Sequence, residues 1–518
     1  MSQEEKLRII HAKMEAASEK ARDEIRNTVR GPDGKPIVLS SADFNLKLPE
    51  PPCAIGSQKN DNIVLNRLPR DGFYRKNSKG DPTPDAKAIA NQIFEKYHVV
   101  AFKGCLFVYD RYKGVFREDC GDVEHEIETI LDYISWRGPT ISTRREVRAH
   151  LLAKRVFADY PFDSQPDLIP FRNHCAKFSG GDWITEDYQR EQMFRYRIPV
   201  DLDLEIDSKA VDDLFSQWVE PEDVPVLYQA PAQALVQAML RQPFKRAYLF
   251  MGPSNSGKSS YFELLKRAFG LDNFSSTALQ QLNTRFAFAP LEGKLMNIHD
   301  DLENVEFQGA GTFKTLTGSC THQIERKNQT PYVGRITAVH LYNCNDPPKV
   351  SRATLDDAAF WGRWEYVIFP NWFPTDPTFY DRVFTDKFIQ AFLVGVLRCT
   401  RTILRTNRLQ RSSAPEAVKD MWICATDPIY KWIKDAFQRE LGAFLPTEDI
   451  YQNYLSWCTL NKVTPGTKDW LTKSLTKFGF AKRRIKSIHG YAGFRFAGTD
   501  PQRPTAAETP SWFGQEDT

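Results

Sequence analysis

Apolar side chains recur along the chain at two periods, one helical and one strand-like, and these divide it into successive elements. Residues 4–29 carry Leu7, Ile10, Met14, Ala17 and Ala21 at alternating three- and four-residue steps, which predicts one surface helix. The apolar seam fails at Glu24, so a coiled coil is the weaker reading. Pro, Gly, Asn and Asp crowd residues 31–84, the pattern of a linker or extended arm. Helical spacing resumes near Ala86, gives way to strand-like stretches at 98–102 and 105–109, and returns until about Arg155. A helical block over 211–241 leads into the apolar run 245–251, which reads as a buried strand. Residues 260–269 then repeat at helical spacing, with Gly270 suited to the C-terminal cap. Further buried strands are predicted at 295–301, 335–345 and 365–369. Near the C-terminus the pattern predicts a helix over 447–457 with Thr447 as N-cap, and a second over 466–478. A hairpin around His489-Gly490 is predicted over 482–496.

Composition narrows the class. The 518 residues suggest about three domains, and 41% apolar with 13% aromatic residues supply real cores. The longest nearly apolar run, 388–397, is interrupted by Gln390. A bilayer span needs ~20 such residues, so no transmembrane helix is expected. The first 30 residues lack the apolar core of a secretory signal. Nine cysteines are scattered singly without a C-x-x-C pair, as in proteins of a reducing compartment. A cytoplasmic protein without a membrane partner is therefore expected. The net charge of +3 hides a local excess: residues 461–500 hold nine Lys or Arg against Asp469 and Asp500.

The predicted strand at 245–251 runs directly into Gly252, Pro253, Ser254, Asn255, Ser256, Gly257, Lys258, Ser259 and Ser260. Strand, glycine loop and helix in this order cradle phosphates: the backbone curls so that N–H groups and a helix N-terminus face the oxygens. Lys258 would reach the β- and γ-phosphates of ATP, and the Ser259 hydroxyl would ligate Mg²⁺. Forty-two residues after Lys258, the strand at 295–301 ends in Asp300-Asp301. One carboxylate, Asp300, would hold the Mg²⁺ shell, and Asp301 would orient or deprotonate the attacking water. Asn345, at the tip of the strand at 335–345, is placed to sense the γ-phosphate. Arg363, among Trp361 and Trp364, becomes chemically useful if a neighbouring subunit's ATP lies opposite it.

This ordered series resembles the superfamily 3 helicases, specifically the phage, plasmid and poxvirus primase–helicase group. The resemblance rests on 252–259, Arg285-Phe286 with 291–294, the carboxylates, 313–318, 325–327, 345–348 and 361–363. More weakly, residues 86–204 are similar to the helical domain that precedes the motor, with 194–201 as its closing strand. Having Asp-Asp where many relatives have a Glu is a departure that weakens the assignment of the water-orienting carboxylate. The resemblance implies a multidomain α/β protein whose P-loop AAA+ parallel-sheet motor core is preceded by a mostly helical domain and followed by a winged-helix domain. The expected boundaries are an N-terminal helix and arm over 1–84, the preceding domain over 85–240, the motor over 241–425, the winged helix over 426–498 and a flexible tail over 499–518.

It also implies a hexameric ring whose 325–328 hairpin points into the channel, with Arg326 and Lys327 touching single-stranded DNA. In the winged helix, Lys468, Lys473 and Lys477 would face duplex DNA while Arg483, Arg484 and Lys486 form the wing. A separate primase or polymerase would act alongside. The D-x-D pair Asp201 and Asp203 is followed by only 41 residues before Lys245, too few for the rest of a primase, and reads as a structural junction. The leading expectation is an ATP-dependent DNA helicase acting in replication of a virus, phage or mobile element. The alternatives are an ATP-switched origin-binding initiator and a small-molecule kinase, although no acceptor or lid pattern favours the last.

Overall fold

A computed structural model describes residues 69–497, except 304, 328, 413, 414 and 486. The expected helix at 4–29, most of the arm, Lys486 and the tail lie outside the described residues. The chain divides into two units: the first runs to Asp346 and resumes over Ser351–Pro415, and the second holds Pro347–Val350 and everything from Glu416 onward. The expected boundary at 240/241 therefore falls inside the first unit, and the next division comes at 415/416.

The leading part of the first unit is more β-rich than expected. Three helices, Ala86–Tyr97, Asp122–Tyr133 and Ile141–Ala153, accompany a four-stranded sheet. Its order is Val115–Glu118, Cys105–Asp110, Val100–Phe102, Val156–Phe157. Ile89, Ile93, Val123, Ile127 and Leu151 fill the core of this part. An antiparallel meander follows: Leu168–Pro170, Cys175–Ser179 and Asp182–Glu186. The strand expected at 194–201 does not form; the segment makes one isolated bridge, Phe171 to Ile198, and scattered backbone hydrogen bonds such as Phe116 N–H to the Phe194 carbonyl. Asp201 forms a two-pronged ion pair with Arg172 at 2.7 and 2.8 Å, which ties this junction together.

Five parallel strands build the centre: β1 Ala247–Met251, β2 Phe274–Ser275, β3 Met296–His299, β4 Val339–Cys344 and β5 Trp364–Ile368. Their order is β2-β3-β4-β1-β5, and each neighbouring pair runs parallel. All five residues of β1 are buried, as a parallel strand covered on both faces requires. Helices α1 Val224–Leu240, α2 Lys258–Phe269 and α3 Asp386–Thr406 share one core with the sheet. Three glutamines inside α1 are satisfied within that core: Gln233 donates to Gln237 at 3.0 Å and accepts from the Tyr248 hydroxyl at 2.8 Å, while Gln229 donates to the Gln410 carbonyl.

Between β3 and β4 the chain forms a helix, Ala310–Gly318, and an antiparallel hairpin of Thr321–Ile324 with Tyr332–Arg335. The stretch expected as one strand over 335–345 is thus divided, with Arg335 closing the hairpin and β4 starting at Val339.

The second unit reads helices Pro415–Thr426 and Pro428–Ala436, strand Phe437–Pro446, helices Thr447–Leu460 and Lys468–Lys477, and strands Ala481–Ile485 and Ile488–Phe496. The last strand lies between the other two. Trp432, Ile450, Tyr454, Leu471, Phe480 and Tyr491 fill its core. Two local expectations are corrected. Thr447 does not cap its helix; its hydroxyl donates to the His489 carbonyl at 3.1 Å, tying helix to sheet. Ile485 pairs with Ile488, so the hairpin's turn comes before His489-Gly490, and Gly490 sits inside the strand, pressed against the Leu445 carbonyl. No described helix is long and apolar enough to cross a membrane.

Trp364 on β5 is fully buried and stacks on Phe313 at 4.6 Å. Trp364→Ala should cost about 3–5 kcal/mol, read as a lower urea midpoint at unchanged slope; an unmoved midpoint would show that this layer does not hold the first unit together.

Candidate functional site

The loop between β1 and α2 is shaped by two glycines. A Cβ on Gly252 would come within 2.2 Å of the Phe369 carbonyl oxygen. Gly257 has φ +99°, and a Cβ there would strike the Trp218 ring at 2.8 Å. Packing against β5's exit and against Trp218 therefore forces the loop to curl tightly. The first residue after Gly257 begins α2, so the helix N-terminus with its free N–H groups opens into the same space.

Lys258 folds back over the loop. Its Nζ donates to the carbonyls of Gly252 and Pro253, both at 2.8 Å, to Ser256 Oγ at 3.2 Å and to Asn345 Oδ1 at 3.0 Å. None of these acceptors is a carboxylate. Burial pushes the ammonium pKa down to about 8, against a smaller upward pull from Cys344, Asp300 and Asp301.

The carboxylates come from the end of β3. The Ser259 hydroxyl donates to Asp300 Oδ1 at 3.1 Å, and the Asn343 amide donates to the same oxygen. The Asn343 carbonyl oxygen accepts from the Asp301 backbone N–H at 2.5 Å, and its main-chain oxygen accepts from Leu302 N–H at 2.8 Å. Asp301 is held at φ +57°, a left-handed conformation that costs a non-glycine residue energy. Asn343 thus clamps the Asp300 carboxylate and the Asp301 backbone.

Sequence reasoning chose Asn345 for the amide role and passed over Asn343. Asn345 lies beside the loop, accepting from Lys258 and donating to Ser254 Oγ at 3.3 Å. The missed signal was period two: positions 343 and 345 share one face at the tip of β4.

These groups line one cavity of about 340 Å³, formed by residues 254–260, Asp300, Asp301, Asn343, Asn345 and Tyr380. Tyr380, from the short helix Phe379–Val383, is a second residue that sequence reasoning did not single out. A hydroxyl, a carboxylate and space for water are a hard-oxygen donor set of the kind Mg²⁺ takes, so Ser259 and Asp300 fit the ion assigned to them. Such an ion would neutralise charge on phosphate oxygens.

Arg363 does not reach this cavity. Its carbonyl accepts from Ala247 N–H at 2.8 Å, at the start of β1, whereas the loop leaves from the strand's far end, ~13 Å along. Its Nη1 donates to the Ala359 carbonyl at 2.6 Å, and Nε is buried without a hydrogen-bond partner among the described residues. Burial holds its pKa below the usual arginine range.

The proposed DNA contacts fare unevenly. Lys327 is exposed between the hairpin strands. Arg326 departs from expectation: it is inside an ion-pair cluster, 2.7 Å from the buried Glu292 and also paired with Glu118, so its guanidinium is not displayed. Lys473 is exposed, and position 477 lies one helical turn on, on the same face. Lys468 is ~140° away around that helix and pairs with Glu448, so it does not join them. Arg483 and Arg484 are both exposed but, as neighbours on one strand, point to opposite faces.

Residues 250–359 match a sequence family described as a family of unknown function, DUF5906. This match takes in the loop, both carboxylates, the hairpin and both asparagines, and ends before Arg363 and Tyr380. No curated protein matches the chain. Solved apo structures of the NrS-1 C-terminal region are similar over 79% of this chain. One has 13% identity and a TM-score of 0.47 over 99% of its own length, and another 12% and 0.45 over 100%.

Because Lys258 is half-protonated near pH 8, an anion binding beside it should draw in a proton. Calorimetric titration with ATP at pH 8, in two buffers of different ionisation enthalpy, should show uptake of roughly half a proton per site. Enthalpies independent of buffer would mean that Lys258 does not meet the phosphates.

Proposed function

We propose that this chain is an ATP-dependent DNA helicase of the ring-forming superfamily 3 type, acting in replication of a virus, phage or mobile element. The observation that carries the reading is the convergence, at one end of a parallel sheet, of a lysine-bearing glycine loop, a serine–aspartate pair and a second aspartate. The strand order supports it, since β4 lies between the loop strand and the carboxylate strand and supplies an amide to each. A P-loop AAA+ core needs such an arrangement to couple the γ-phosphate to the water.

In the proposed cycle, Lys258 exchanges its loop carbonyls for phosphate oxygens. When bound, Mg²⁺ supplies charge neutralisation at the phosphates. Asp301, held by Asn343, orients and deprotonates the attacking water. Arg363 stands at the far end of β1 from its own loop, so it serves only a nucleotide held by an adjoining copy, as in a ring. Lys327 carries the step to the DNA backbone, a contact blind to sequence and weakened by salt.

The second unit supports a duplex-binding role. After a leading helix, Pro415–Thr426, its helix–strand–helix–helix–strand–strand order, with Ile488–Phe496 central, fits a winged helix, and Lys473, Arg483 and Arg484 are exposed on it. This same basic module favours one second reading, an ATP-switched initiator that binds an origin and separates little duplex itself.

On a forked duplex with ATP, Lys258→Ala and Arg363→Ala should both abolish unwinding, with nucleotide binding lost at least tenfold only in the first. Tight duplex binding without strand separation by the wild-type chain would favour the initiator. Undiminished unwinding by Arg363→Ala would remove that residue from the mechanism.

A further inference from the structure

The hairpin between β3 and β4 is held from outside the motor. Its strands end at the Ile324–Tyr332 pair, and the loop 325–331 that joins them lies against the four-stranded leading sheet. Arg326 pairs with Glu118, the last residue of the edge strand Val115–Glu118, and its Nη2 donates to Glu292 at 2.7 Å. The Tyr332 hydroxyl donates to the same Glu292 oxygen. Its ring stands edge-on to Phe102, with centroids 6.3 Å apart, and packs on the cluster that holds Phe102, Cys105 and Phe107. Cys105 Sγ donates to Gln329 Oε1 at 3.9 Å. Gly334 makes room for the acid, since a Cβ there would come within 2.5 Å of Glu292 Oε1. Lys327 takes no part in these contacts and is exposed.

Burial decides whether Arg326 can leave. The Glu292 side chain is 1% exposed, so its carboxylate has given up its hydration for these partners. Without Arg326 it would keep the Tyr332 hydroxyl as its one side-chain donor among the described residues, and an enclosed carboxylate stripped of its cation is heavily penalised. A phosphate on DNA, already solvated, offers Arg326 no gain that offsets this. The leading sheet is fastened to the motor as well: Arg241, at the C-terminal end of α1, donates to the carbonyl of Phe162, which belongs to the same cluster, at 2.7 Å.

We infer that the leading sheet is the hairpin's anchor: Glu118 and Glu292 are positioning residues that hold Arg326, and with it the loop, so that Lys327 meets a polynucleotide from a fixed mount. The inference rests on the reading of Lys327 as the backbone contact and adds what bears its load. Hairpin and leading sheet move as one body, and Arg326 keeps its acids while Lys327 holds DNA.

Two measurements on the full chain test this: binding of single-stranded DNA over a range of salt, and unwinding of a forked duplex. Lys327→Ala should lower the slope of log affinity against log salt by about 0.7, whereas Arg326→Gln should leave it unchanged, because a docked guanidinium releases no counterion from DNA. Glu118→Gln, at a partly exposed position and of the same shape, should leave DNA affinity and ATP hydrolysis unchanged. It should slow unwinding about fivefold, the difference between a charged and a neutral hydrogen bond. A slope lowered by Arg326→Gln, tighter DNA binding by Glu118→Gln, or unwinding undiminished by Glu118→Gln each overturns the anchor. The Glu118→Gln results decide alone if Arg326→Gln does not fold. A slope unmoved by Lys327→Ala refutes the hairpin's DNA contact itself, a result distinct from failure of the anchor.

Discussion

A lysine ammonium shut away among neutral oxygens is expensive to keep, because two backbone carbonyls, a hydroxyl and an amide repay only part of its lost hydration. The depressed pKa of Lys258 is the measure of that debt. Much of the first unit is arranged around this one cation. Buried β1 delivers the loop, Trp218 and the Phe369 carbonyl leave room only for glycine, and β4 brings Asn345 to share the charge.

The strained carboxylate end obeys a similar logic. Asp301 occupies a left-handed conformation because Asn343 grips both its N–H and its neighbour's side chain. One amide thus fixes the spacing between a group suited to metal and a group suited to water. The strand that carries the clamp, β4, pairs with both the loop strand β1 and the carboxylate strand β3.

What was legible in the sequence was local. The run of buried positions before Gly252 and the helical spacing after Lys258 located β1, the loop and α2 to within a few residues, because each depends on its own side chains. The carboxylates were legible for the same reason: an apolar strand ends abruptly in two acids. What was not legible depends on distant partners. Arg326 looks like a free cation in its own segment, yet its partner Glu118 lies 208 residues earlier, on the edge of another sheet. Asn343 was hidden inside an apolar strand, and its role exists only once β3 lies beside β4. Tyr380 follows a proline-rich stretch without periodicity, and only the return of 369–378 over the loop brings it to the cavity. The preceding part was expected to be mostly helical, since its strands are short and several pair across long intervals, as Val156–Phe157 does with Val100–Phe102.

The account stands or falls on whether turnover happens between copies of the chain, with Lys258 given by one and Arg363 by the next. Lys258→Ala and Arg363→Ala chains, each inactive alone, should recover ATP hydrolysis when mixed and allowed to assemble, because some junctions then pair an intact lysine with an intact arginine. Random mixing in a closed ring predicts about a quarter of the wild-type rate. A mixture as inactive as its two components, although shown to co-assemble, would contradict shared catalysis and the stepping motor built on it.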